Sequence, residues 1–126
     1  MRSDSLDALK GRRLLLVEDD YLIASDLAES LQEAGVLIVG PAGNISEAAA
    51  LVDGESVIDG AILDINLDGE RVYPLAERLR ARRVPFVFAT GYDDWVLPQA
   101  FGDVPRLEKP VETAALARAL ADRMKP

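Results

Sequence analysis

The stretch Leu14-Leu15-Leu16-Val17-Glu18-Asp19-Asp20 joins an uninterrupted apolar run directly to three carboxylates. Four apolar residues in a row read as a strand buried on both faces, as parallel strands between helix layers are. The acids then stand at the strand's carboxyl end, the edge along which open α/β sheets bind ligands. A second segment, Ala61-Ile62-Leu63-Asp64-Ile65-Asn66-Leu67-Asp68-Gly69, has the same shape: its first charge closes the apolar run and a turn-forming Asp-Gly pair follows. Side by side in one parallel sheet, the two strands bring Glu18, Asp19 and Asp64 into one pocket. Three crowded carboxylates repel, and their pKa values rise unless a cation joins them. A hard divalent ion with oxygen ligands, Mg2+, is the natural occupant. Taken alone, each acid reads as a solvated loop residue or a helix cap; the paired arrangement is what argues for a site.

Outward from these strands, helices and strands alternate. Asp20 is placed to cap a helix carrying Ile23, Leu27 and Leu31 at i, i+4 and i+8, ended by Gly35. A second strand is expected over residues 36–39, a loop over 40–44, and a short alanine-rich helix opened by Ser46 and Glu47 and running to about residue 52. Residues 59–63 read as the third strand. Val72, Leu75, Ala76 and Leu79 form one face of a helix ending in Arg78, Arg80, Arg82 and Arg83, a cluster expected to be a solvated helix end. A fourth strand over 85–89 is followed by Thr90-Gly91, and a short fifth over 106–108 by Lys109-Pro110. A last helix over about 112–124 buries Leu116 and Leu120.

Five β-α units with right-handed crossovers specify a doubly wound α/β fold, (βα)5, with a parallel five-stranded sheet covered on both faces. The fourth helix is the exception. Gly91, Pro98, Gly102 and Pro105 interrupt the segment between Thr90 and Lys109, and interior proline costs about 3 kcal/mol and glycine about 1 kcal/mol in a helix. A short helical turn or a disordered, mobile loop is expected there. Residues 1–11 read as a loosely ordered lead-in in which Leu6 and Leu9 can pack as an extra helical turn, ahead of a single domain over 12–126.

Composition narrows the chemistry. A chain of 126 residues, 49% apolar and 29% charged, has the size and balance of one soluble domain. With 14 basic and 22 acidic residues its net charge is -8, which argues against direct contact with nucleic acid. Cysteine and histidine are absent, so disulfides, the usual zinc sites, histidine catalysis and a phosphohistidine carrier are excluded. No apolar run approaches the roughly 20 residues of a membrane span and no signal peptide is evident. No membrane insertion and a cytoplasmic location are therefore expected.

Read together, the strand ends place Glu18 and Asp19, Asp64, Thr90 and Lys109 on one edge. This is a phosphoryl-transfer set: Asp64 as an oxygen nucleophile toward phosphorus, a cation to neutralise developing charge, Lys109 as a point positive charge, and the Thr90 hydroxyl as a donor to a phosphoryl oxygen. In isolation Lys109 is an exposed loop lysine and Thr90 a β-branched residue ending a strand.

From about Gly11 onward the chain resembles the receiver domains of two-component response regulators, whose fold is flavodoxin-like. The resemblance rests on Leu15-Leu16-Val17-Glu18-Asp19-Asp20, Asp64 ending a strand, Ala89-Thr90-Gly91 and Glu108-Lys109-Pro110, with Asp64 45 residues beyond Asp19 and 45 before Lys109. It implies that Asp64 is the phosphoacceptor, that Glu18 and Asp19 hold Mg2+ with the backbone carbonyl of Asn66 as a further ligand, that Lys109 pairs with the phosphoryl group, and that Thr90 is the switch hydroxyl. It also implies a cis bond before Pro110 and a histidine kinase or histidine phosphotransfer protein as the phosphodonor. Pro85-Phe86-Val87-Phe88-Ala89-Thr90-Gly91-Tyr92 is similar to the motif of the FAT GUY group of single-domain, mostly alphaproteobacterial regulators, several of which serve stress signalling; Asp93 follows Tyr92 where the nickname has a further tyrosine.

The chain departs from the family pattern where receivers carry an aromatic residue three positions before the lysine; here Arg106 stands there, and Tyr92 is a candidate for part of the ring's role. Phosphorylation is expected to draw Thr90 and Lys109 toward Asp64 and to change a switch or partner surface comprising Thr90, Tyr92, Trp95, Phe101 and Arg106. Trp95, Leu97 and Phe101 read equally well as core residues covering the sheet. No output domain is expected, so a partner-binding switch, a relay shuttle and a phosphate sink all fit, and a downstream protein partner is possible; the sequence leaves oligomeric state open. The alternatives are a hydrolase with Asp64 as nucleophile, against which Asn66 occupies the position where such enzymes keep a second carboxylate, and a receiver that binds partners without phosphate.

Overall fold

The computed structural model describes residues 4–55, 57–91 and 97–124. In chain order these form α1 (Asp4–Ala8), β1 (Arg13–Val17), α2 (Tyr21–Glu33), β2 (Leu37–Ala42), α3 (Ile45–Gly54), β3 (Gly60–Asp64), β4 (Asn66–Leu67), β5 (Glu70–Arg71), α4 (Tyr73–Ala81), β6 (Phe86–Thr90), a 3-10 turn (Gln99–Phe101), β7 (Arg106–Glu108) and α5 (Thr113–Arg123). Five strands pair in the order β2-β1-β3-β6-β7, all parallel. This is the doubly wound flavodoxin-like sheet that the alternation of elements demands. After β2 the chain crosses to the other side of β1, so the carboxyl ends of β1 and β3 flank the topological switch point, where such sheets bind ligands.

Strand alternation divides the core. Leu15 and Val17 face one layer with Ala61, Leu63, Phe86 and Phe88, under α3 and α4. Leu14 and Leu16 face the other with Ile62, Val87 and Ala89, under α2 and α5. The short α1 belongs to the second layer: Leu9, just beyond it, is fully buried and Leu6 packs alongside. The described part of the expected loose lead-in is thus a docked helical turn.

Helix boundaries follow their caps. Asp20 Oδ1 accepts from the N–H groups of Leu22 (3.0 Å) and Ile23 (3.1 Å), starting α2. Its buried stripe is Ala24, Leu27, Ala28 and Leu31; Ile23, expected inside, lies at the edge of the stripe and is 37% exposed. At α3, Asn44 Oδ1 accepts from Glu47 N (2.8 Å) while Glu47 Oε1 accepts from Gly43 N (2.9 Å), so the helix opens one residue before Ser46. Val72, Leu75, Ala76 and Leu79 are all fully buried, as the periodicity requires.

Three expectations are corrected. β2 runs on through Gly40-Pro41 to Ala42 instead of ending at Val39; as an edge strand it tolerates a proline without losing a needed donor. The arginines ending α4 are not simply solvated: Arg78 pairs with Asp53 at 2.8 Å, Arg80 donates to Ala100 O at 2.7 Å, and Arg82 donates to the carbonyls of Val52 and Glu55 at the end of α3. Phe101 is not part of a surface. It is 3% exposed, stacked on Tyr73 with ring centroids 5.5 Å apart and edge-on to Phe88 at 5.6 Å. The two glycines and two prolines leave only the Gln99–Phe101 turn as helix among the described residues between Thr90 and Lys109.

Gly40 (φ +102°) is the least replaceable residue of β2, because an added Cβ would lie 2.8 Å from Ala42 N and 3.0 Å from Leu16 O, both main-chain atoms of the sheet. We expect Gly40→Ala to cost about 3 kcal/mol, from left-handed strain and backbone displacement combined. Urea denaturation checks this, and a midpoint equal to wild type would refute it.

Candidate functional site

The residues singled out at the strand ends converge. β1 and β3 are in register as neighbours, Val17 opposite Leu63, so Glu18 and Asp64 follow at the same level. Asp64 pairs in turn with Ala89, placing Thr90 one step further on, and Thr90 pairs with Glu108, next to Lys109. A parallel sheet with this register delivers three carboxylates, a hydroxyl and an ammonium to one edge with no help from long loops.

At that edge Lys109 Nζ lies 2.7 Å from Asp64 Oδ2 and 2.9 Å from Glu18 Oε1. Carboxylate oxygens of Glu18, Asp19 and Asp64 all lie within 4.8 Å of one another. Glu18, Asp64 and Thr90 are buried, whereas Asp19 is exposed. Main-chain donors fix the acids: Asp20 N donates to Glu18 Oε2 at 3.0 Å, Asn66 N to Asp64 Oδ1 at 3.3 Å, and Asp68 N to Asp19 Oδ2 at 2.9 Å. The last of these comes from a miniature hairpin, β4–β5, whose turn holds Asp68 at φ +51° and Gly69 at +92°. Asn66 Oδ1 closes that turn by accepting from Gly69 N at 3.0 Å. From the sequence Asp68 is a turn residue and the nearest alternative to a second carboxylate in the hydrolase reading; its peptide N–H contact with Asp19 is not foreseen there. The Asp-Gly pair was the available signal for the turn.

Electrostatics follow from two buried acids sharing one ammonium. Burial, with Glu18 adding repulsion, raises the Asp64 carboxyl to about 7, against the downward pull of its hydrogen bond to Lys109. For Lys109, burial acts downward, but the bonds to Asp64 and Glu18 prevail and its pKa is raised, so the ammonium stays charged. Three carboxylates against one ammonium leave an excess of negative charge in an all-oxygen setting, and this donor set suits a hard divalent cation.

Lys109 also closes the edge through its main chain, with its N–H donating to Thr90 O at 2.9 Å, and the Lys109-Pro110 peptide is cis. Arg106 lies exposed on β7, opposite Phe88 in register. Tyr92 and Trp95 lie outside the described residues.

The sequence model of the family described as response regulator receiver domain matches residues 14–121. The chain belongs to that receiver family. Among solved receiver structures, SdrG from Sphingomonas melonis Fr1 superposes with a TM-score of 0.80 at 42% identity, covering 94% of this chain and 98% of that one. The BeF3-activated conformation of SdrG, from Pseudomonas melonis Fr1, gives 0.74 at 39% identity, covering 98% and 100%. The transcriptional regulatory protein PdtaR of Mycobacterium tuberculosis is 37% identical over 87 residues, 68% of this chain. The present receiver chain therefore spans 42% of PdtaR's length. No helix among the described residues is long and apolar enough to cross a membrane.

Proposed function

We propose that this receiver accepts a phosphoryl group on Asp64 from the phosphohistidine of a histidine kinase or phosphotransfer protein, in a Mg2+-dependent reaction, and signals by the resulting change in its surface or by passing phosphate on. The observation that carries this reading is the buried Asp64 carboxylate held between Lys109 Nζ and the acids Glu18 and Asp19. An Asp64 oxygen attacks phosphorus, forming an O–P bond as the P–N bond to the donor imidazole breaks; that imidazole leaves with its electron pair and takes up a proton. Glu18, Asp19, Asp64 and the Asn66 carbonyl would hold Mg2+, which supplies neutralising charge for the transferring group. The ammonium of Lys109 orients Asp64 before transfer and follows the phosphoryl oxygens after it. Thr90, buried at the end of β6, offers its hydroxyl to the same oxygens.

The BeF3-activated form of the related SdrG supports a phosphate-driven change in this chain as well. The hydrolase reading is weaker: Asn66 Oδ1 is engaged by Gly69 N, and an amide carries no acidic proton for a leaving group.

Intact-protein mass spectrometry after incubation with acetyl phosphate tests the proposal. One phosphate adduct is expected with Mg2+, none with chelator, and none in Asp64→Ala. An adduct persisting in Asp64→Ala would assign the acceptor elsewhere, and slow or fast decay of the wild-type adduct would separate a switch or relay from a sink.

A further inference from the structure

The amino end of β6, at the sheet edge opposite the acidic site, carries a cavity of about 220 Å3 lined by Arg80, Arg83, Arg123, Val84, Pro85 and Phe86. Three arginines line it in a chain whose net charge is -8. Their counter-charge is Asp103, reached by Arg80 Nη2 at 3.2 Å and by Arg123 Nη2 at 3.3 Å. Both contacts are longer than the roughly 2.8 Å of a strong guanidinium–carboxylate bond. The Asp103 side chain is also 64% exposed, so water screens its pairing with the two arginines. Three guanidinium charges against one carboxylate leave two uncompensated positive charges.

Two further observations concern the arginines themselves. Arg83 follows the last turn of α4 with φ +61°. Its N–H donates to Arg80 O at 3.0 Å and Val84 N donates to Leu79 O at 2.9 Å. The same pair of bonds ends α2, but there the left-handed residue is Gly35, at φ +92°. Glycine is the low-strain choice at such a helix end; α4 instead places a long cation there, and no ion pair of Arg83 is found among the described residues. Arg123 Nε, moreover, is buried with no acceptor among the described residues. Arg80 meanwhile is held in place, with its guanidinium carbon 5.0 Å from the Phe101 ring centroid and 5.8 Å from that of Phe86.

We infer that Arg80, Arg83 and Arg123 form an anion site for a phosphate monoester. A phosphate monoester carries close to two negative charges near neutral pH, matching the charge left over, and its oxygens suit the fork of guanidinium donors. The apolar floor of Val84, Pro85 and Phe86 gives the ester's organic group a surface. The site is independent of the acids, since the length of β6 separates the two edges by about 15 Å.

The test is a titration of the whole chain with phenyl phosphate at constant ionic strength, with chelator present, followed through the arginine Nε–H resonances. Saturable shifts of Arg80 and Arg123 are expected. Arg83→Gly should weaken binding about tenfold, the loss of one charge-assisted contact, while melting no lower than wild type because glycine suits the helix end. Asp103→Asn should tighten binding several-fold by removing the competing carboxylate. Unsaturating shifts matched by chloride, or affinity unchanged in Arg83→Gly, would overturn the site. Equal binding of benzoate would overturn the phosphate class.

Discussion

Asp64→Asn is expected to stabilise the metal-free protein far more at pH 8 than at pH 5. The carboxyl titrates near 3.8 when unfolded and at about 7 when folded. A raised acid pKa means that the folded state holds the proton more tightly, so the associated stability is present at low pH and is lost as pH rises from the unfolded value through the folded one. The wild type should therefore weaken between about pH 4 and pH 7, by roughly 3 kcal/mol between pH 5 and pH 8. Asparagine keeps an oxygen for Lys109 and has no charge to bury, so its stability advantage should grow by that amount over the same range. Urea unfolding in chelator at the two pH values measures it. Mg2+ at pH 8 should shrink the advantage, since wild type then gains a counter-charge. An advantage independent of pH would show that Asp64 ionises as an ordinary surface acid does.

Lys109→Met should have the opposite sign. Removing the ammonium leaves Glu18 and Asp64 buried together with no opposing charge, and breaking a buried pair in this way typically costs 3–5 kcal/mol. The Lys109 side chain retains 22% exposure, so the lower end, about 3 kcal/mol, is expected at pH 8 in chelator. At pH 5 the cost should fall, because Asp64 takes up a proton and the repulsion is relieved. The double variant with Asp64→Asn should recover much of the loss, a coupling that a double-mutant cycle isolates. Strict additivity of the two substitutions would contradict the direct ion pair at 2.7 Å.

Most of this site was legible because a parallel sheet aligns the residues that end its strands. An apolar run terminated by a charge marks both the strand and the point at which it meets solvent for Glu18, Asp19 and Asp64, whereas Lys109 follows the mixed strand Arg106–Glu108 and was placed by the order of the elements. Features that depend on a neighbour in space were not legible. Gly40-Pro41 reads as a loop in one dimension and is edge strand, with no strand beyond β2 among the described residues. Ile23 fits the helical period as well as Leu27 does, and only the tilt of α2 on the sheet decides which of them is covered. Phe101 is apolar in a segment rich in helix breakers, and its burial comes from Tyr73, Phe86 and Phe88, more than a dozen positions away. Arg78, Arg80 and Arg82 find a carboxylate and carbonyls at the end of α3 and in the 3-10 turn, which periodicity cannot foresee.

Lys109 holds two grips at once: its main chain is fastened to the last residue of β6 and its side-chain tip to the acids on β1 and β3. Mechanically it is a tie rod with one end in the sheet's frame and the other on the acids. A force that shifts the tip would reach the Thr90 peptide through the lysine stem alone. Slack in such a rod would come from the four methylenes of the lysine stem alone, in a side chain only 22% exposed.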